Sequence, residues 1–178
     1  MEMFILIISL LIILVFLVFL AMQFFNMIFR GFAPYISTRV EVIKKVLAEI
    51  EINAGDNVYE LGSGKAGFLR AVEKKYPKVN YIGIEYSFLL WFISKMQINL
   101  CGSKIKLFKK NIFKVDLSKA DLIYCYLNPK MMERLEEKFK KECRPGTRII
   151  SYAFAIPDFN ATKTIRLENG SKIYFYNI

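Results

Sequence analysis

Apolar and polar positions change rhythm along this chain. Between Glu2 and Arg30 there is no charged residue, and Met3 to Met22 is built almost entirely from Ile, Leu, Phe, Val and Met. At about 1.5 Å rise per residue, such a run crosses a hydrocarbon layer of roughly 30 Å as a helix. A cleavable signal would have a shorter apolar stretch, basic residues ahead of it and a small-residue cleavage site behind it, none of which is present. A buried core helix would need protein on every face, more than the remaining chain can wrap. Residues 1–30 are therefore expected to form one transmembrane anchor, and residues 31–178 a separate domain.

After an extended connector over 31–38, Val42, Ile43, Val46, Leu47 and Ile50 recur at helical spacing. Ser37 or Thr38 is the expected N-cap, with Glu41 placed to close a capping box. From Asn57 onward, short strand-like runs alternate with helical segments. Strands are predicted over 57–61, 80–85, 105–110, 122–127 and 147–154, with helices over 67–75, 88–100 and 130–141. That alternation argues for an α/β domain with a parallel sheet covered on both faces. The chain closes with strands over 162–167 and 172–176 around Asn169-Gly170, a strong hairpin signal. The predicted architecture is thus a seven-strand, mostly parallel sheet ending in an antiparallel hairpin, preceded by one transmembrane helix.

The net charge is +10, and Arg30, Arg39, Lys44 and Lys45 follow the span while only Glu2 precedes it. Basic residues stay on the cytoplasmic side, so the domain is expected in the cytoplasm and the N-terminus outside. The basic clusters 104–110 and 138–144 suit anionic lipid, nucleic acid or plain solvation. Cys101, Cys125 and Cys143 are odd in number and form no C-x-x-C, so neither a disulfide framework nor a zinc knuckle is suggested. There is no histidine, which removes Ser-His-Asp and Cys-His chemistry and any imidazole metal site.

Candidate chemistry centres on Val58-Tyr59-Glu60-Leu61-Gly62-Ser63-Gly64-Lys65-Ala66-Gly67, a strand that ends in an acid and breaks into a glycine-rich turn before a helix. Glycine there admits positive φ and lets the backbone press against a ligand. Glu85 closes the next strand about 20 residues on, where a carboxylate meets ribose hydroxyls. The same letters satisfy G-x-G-x-x-G, so a dinucleotide site stands beside a methyl-donor site. The acid two residues before the first glycine, the absence of a second domain for a hydride acceptor and the terminal hairpin favour the methyl donor.

These residues resemble the class I, seven-strand S-adenosylmethionine-dependent methyltransferases, with their Rossmann-like fold, from Pro34 onward. More narrowly, Pro34-Tyr35-Ile36-Ser37-Thr38, Glu60-Leu61-Gly62-Ser63-Gly64, Tyr126-Leu127-Asn128-Pro129 and Ser151-Tyr152-Ala153-Phe154 look like the small membrane-anchored protein-lysine methyltransferases of the ATP synthase c subunit and adenine nucleotide translocase type. The resemblance implies S-adenosyl-L-methionine as cofactor. Gly62, Ser63 and Gly64 would pack against its methionine part, with Glu60 orienting the turn or receiving the ammonium through water. Glu85 would take the ribose hydroxyls, Tyr86 would lie near adenine, and Asn111 would accept the adenine amino group. Tyr35 and Thr38 would fold over the donor. Tyr126 and Tyr152, with Phe154, would line a desolvated channel for a lysine, and Asn128 would offer it a polar contact. Ala66 stands where many relatives carry a third glycine, a departure that could displace the turn by one residue.

The resemblance ranks a membrane-associated protein lysine first as acceptor, RNA or DNA second, and a lipid or quinone third. Against nucleic acid, Lys130 and Met131 replace the second proline and stacking ring of Asn-Pro-Pro-aromatic. A non-catalytic membrane scaffold that retains the fold is the alternative of a different class.

Overall fold

The computed structural model describes residues 1–30 and 36–178, with the side chains at 23, 24 and 26–30 outside the description. Two compact units result, residues 1–34 and 35–178. The first is α1 (Glu2–Arg30), whose segment Glu2–Met22 has a mean hydropathy of 3.5 and buries nothing within the molecule.

The second unit begins with α2 (Val40–Ala48), then alternates β1 (Asn57–Leu61), α3 (Gly67–Lys75), β2 (Asn80–Glu85), α4 (Phe88–Leu100) and β3 (Lys106–Lys109). A short 3₁₀ turn (Ile112–Lys114), β4 (Leu122–Cys125), α5 (Pro129–Glu142), β5 (Arg148–Tyr152), β6 (Lys163–Arg166) and β7 (Lys172–Asn177) follow. One seven-stranded sheet has the order β3-β2-β1-β4-β5-β7-β6. The first five strands in that order run parallel; β7 is antiparallel to both β5 and β6. The mostly parallel sheet with its terminal hairpin is thus the predicted one.

Parallel strands buried on both faces read as apolar runs, and β4 is buried throughout. The core on one face joins Val42, Val46, Phe68 and Val72 from α2 and α3 to Tyr81, Leu122, Tyr124 and Ile150 from the sheet. On α5, Met132, Leu135 and Phe139 are fully buried. The order reverses at β1: the chain moves outward through β2 and β3, then returns to β4 on the other side. Loops at such a switch point diverge and leave a crevice at the carboxyl ends of the strands. The turn after β1 and the segment after β4 therefore face one another.

The start of α2 differs from the prediction. Arg39, not Ser37 or Thr38, holds the N-cap position, and no side chain caps it. The Thr38 hydroxyl is instead hydrogen-bonded to the Tyr124 hydroxyl, 3.2 Å away. A long-range partner has displaced the local cap.

Candidate functional site

β1 delivers Glu60 and the glycine turn to the switch point. Gly62 and Gly64 have φ of +73° and +50°, and Ala66 takes φ +55°, ψ +40°. Ala66 thus occupies the left-handed conformation a third glycine would have taken, and the turn is not displaced onto Gly67. An alanine pays about 1–2 kcal/mol for that backbone. The N–H groups of Gly62 and Ser63 both donate to the Ile84 carbonyl at 2.9 Å, and that of Gly64 donates to Glu85 Oε2 at 2.8 Å. The turn is therefore stitched to the end of β2. Gly83 makes this approach possible, since a Cβ there would stand 2.7 Å from Leu107 and 3.1 Å from Ser63 Oγ.

A small cavity of about 30 Å³ opens beside the turn, bounded by Thr38, Glu60, Gly62, Ser63, Tyr124 and Tyr126. Ile36 and Ser37 reach it from the N-terminal side, and Lys65 and Phe68 from the far end of the turn. The register places Glu60 beside Tyr124 and, one strand on, Tyr124 beside Ile150, so these side chains share one face of the sheet. Tyr124 stacks on Phe68 with ring centroids 4.2 Å apart. Neither ring was anticipated from sequence, although Tyr124 stands two residues before Tyr126 and so faces the same way.

The two carboxyls divide the work. Glu60 is buried, and its Oε2 accepts the Leu69 N–H in the first turn of α3 at 3.3 Å. Burial pushes its pKa up to about 8, against the lowering effect of the Leu69 and Phe68 N–H groups. Glu85 accepts from Ser87 N through Oε1 at 2.7 Å as well as from Gly64 N, and burial raises its pKa too. Each oxygen has a second lone pair, so ribose hydroxyls remain compatible with this arrangement.

Other expected site residues lie around this centre. Tyr86 follows Glu85 and is 43% exposed. Asn111 accepts from Phe113 N at 3.0 Å, capping the 3₁₀ turn, and Asn128 accepts from Met131 N at 2.9 Å, capping α5. Tyr152 is buried with its ring 4.4 Å from that of Tyr126. Ser151 donates to the Phe154 carbonyl at 2.6 Å across Ala153, which has φ +72°. Tyr35 lies outside the described residues.

The chain thus brings Thr38, Glu60, Gly62, Ser63 and Tyr126 to the cavity, with Glu85 behind the turn and Tyr152 behind Tyr126. Among the described residues Ser63 Oγ, which packs over Gly83 at the back of the turn, is buried without a hydrogen-bond partner. With left-handed backbone at the turn and acids at the ends of adjacent strands, the residues fit S-adenosylmethionine.

The relatives agree. A protein-lysine N-methyltransferase of Saccharolobus islandicus is 28% identical over 150 residues, covering 82% of this chain and 93% of that protein. The adenine nucleotide translocase lysine N-methyltransferase of Mus musculus is 21% identical over 149 residues, covering 82% of this chain and 63% of its own length. An RNA methyltransferase from Salinibacter ruber, solved with S-adenosyl-L-homocysteine, superposes with a TM-score of 0.75 at 22% identity, covering 80% of this chain and 94% of that one. The ANTKMT methyltransferase domain matches residues 60–163, more than half of the chain, and takes in the cavity residues from Glu60 to Tyr126 but not those at 36–38. This chain belongs to the ANTKMT methyltransferase domain family, within the class I S-adenosylmethionine-dependent methyltransferases.

Proposed function

We propose that the chain is a membrane-anchored protein-lysine methyltransferase, with α1 as the anchor, residues 31–178 as the catalytic domain and a lysine of a membrane-associated protein as acceptor. The observation that carries this reading is the cavity at the β1/β4 switch point, with an acid and a glycine turn on one wall and tyrosines on the other. The names of the S. islandicus and mouse relatives support protein lysine as the acceptor class. The uncharged apolar length of α1 supports the anchor.

The donor supplies a methyl group already activated on a sulfonium, so alignment of a neutral amine does most of the catalytic work. Residues Gly62 to Gly64 would hold the methionine part, and Glu85 the ribose. Thr38, tied to Tyr124, would close the site from the N-terminal side. Lysine must arrive without its proton, and a desolvated wall favours the uncharged amine. Tyr126 backed by Tyr152 offers that wall, with no protein base required. Burial makes Glu60 hold its proton more tightly than an ordinary carboxylate does, and a cation entering the cavity would draw that proton off.

The test is transfer of labelled methyl from S-adenosylmethionine into membranes carrying the full chain, sorted by digestion. Label released by protease and resistant to nuclease and lipid extraction supports the proposal. Label released by nuclease, or extracted with lipid, contradicts it.

A further inference from the structure

From Tyr86 to Lys114 the chain carries six lysines and no acidic residue. The first half of this stretch is α4, of which only Ser94 and Ile98 are buried. Phe88, Leu89, Phe92, Met96 and Leu100 are exposed, Phe88 to 59% and Leu100 to 82%. Residues 88, 92, 96 and 100 are spaced by four, so they form one continuous apolar stripe along the helix. Beside it lies β3, an edge strand whose exposed Lys109 has Nζ 4.8 Å above the Phe88 ring, while Lys106, three residues earlier, belongs to the opposite face of the sheet. Lys104 and Lys110 flank that strand and are exposed as well. Lysines on an edge strand discourage pairing with another sheet, which accounts for them but not for the stripe.

An exposed apolar stripe of this length marks a contact surface. A second copy laid on it would bring like-charged lysine rims together, and a neutral partner would leave them unmatched. Anionic lipid matches both parts, apolar side chains entering the acyl boundary and lysines meeting the headgroups. We propose that α4 is an interfacial helix that lays its Phe88-to-Leu100 stripe on an anionic membrane surface, with Lys109 beside Phe88 as its electrostatic rim. The proposal rests on the reading that α1 anchors the chain, and it adds a second membrane contact made by the catalytic domain itself.

Trp91, the sole tryptophan of the chain, reports on this contact from within α4, where its indole N–H donates to the Leu107 carbonyl at 3.3 Å. The full chain is reconstituted into vesicles with brominated acyl chains, made of phosphatidylcholine alone or of phosphatidylcholine and phosphatidylglycerol in a two-to-one ratio. Flotation reports α1, and quenching of Trp91 reports α4. Quenching in the anionic vesicles and not in the zwitterionic ones is expected. Loss of quenching in the Phe92→Glu/Met96→Glu variant, with flotation and the circular-dichroism melt retained, is expected too. Lys109→Glu, on the α4 face beside Phe88, should weaken the contact by about fivefold, the effect of one well-placed lysine. A floating chain with unquenched Trp91 overturns this inference and leaves the anchor standing, whereas a chain that fails to float overturns both. Equal quenching in the two lipids, or lipid-independent burial of Trp91 that grows with protein concentration, also overturns it.

Discussion

Glu60 reaches two kinds of partner: the backbone N–H groups of α3, which it already holds, and any cation entering the cavity. Its folded pKa of about 8 lies above the ordinary 4.5, so the folded protein keeps a proton that the unfolded chain releases between those values. Stability of the free domain should therefore fall as pH rises from about 4.5 to 8, and Glu60→Gln should flatten that slope. Urea midpoints measured at intervals across the window check this. If the donor ammonium meets Glu60, binding near neutral pH should release a proton, and the calorimetric heat should vary with the buffer's ionisation enthalpy. A buffer-independent heat would confine Glu60 to orienting the turn. Glu85 differs, because it satisfies the N–H groups of both Gly64 and Ser87. Glu85→Ala should cost about 1–3 kcal/mol of stability for each donor left unpaired, as well as donor affinity. Melting and titration of the same variant separate the two losses. The thiols sort by burial: Cys125 and Cys143 are buried, with pKa values raised to about 12 and 11, while Cys101 is exposed. A maleimide should label the native chain at Cys101 alone, as peptide mapping would show.

At the scale of elements, the turn between β1 and α3 carries strain in a small space. Gly62→Val would combine an unfavourable positive φ with a Cβ 2.8 Å from Leu127, the residue that enters from the β4 side. It should weaken donor binding more than Glu85→Ala does, and titration calorimetry would rank the two. Tyr124→Phe removes only the hydroxyl that holds Thr38, so about 0.5–1.5 kcal/mol of donor affinity should go with it. Much of this element structure could be read from local pattern. Bounds for β1, α3, β2 and α4 follow from apolar runs ending in Gly-Ser-Gly, from Asn80 and from Ser87, all signals within a few residues. Non-local packing hid the rest. The cap of α2 depends on Tyr124, far along the chain, which claims the Thr38 hydroxyl. Asn111 and Asn128 read as site residues, and each also caps the element that follows it through its Oδ1, a local bond not anticipated from sequence. Gly83 looked like any residue of an alternating strand until Ser63 and Leu107 were found pressed against it.

At the scale of the molecule, where the chain sits is separable from what it does. On the proposed reading, a single membrane-spanning helix would contribute nothing to the alignment of donor and amine and would act by confining enzyme and acceptor to one surface. Deletion of residues 1–30 should leave S-adenosylhomocysteine binding intact by calorimetry, whereas deletion of residues 1–38 should weaken it, because Thr38 is part of the cavity wall. The central claim is that a lysine amine receives the methyl group at the switch-point cavity. It is tested most directly by giving membranes that carry the full chain a donor with a deuterated methyl and locating the label by peptide mass spectrometry. Label is expected on lysine Nζ of membrane-associated proteins, sharply reduced when Gly62→Val replaces the wild-type chain. Label absent from lysine, or undiminished in that variant, would contradict that claim.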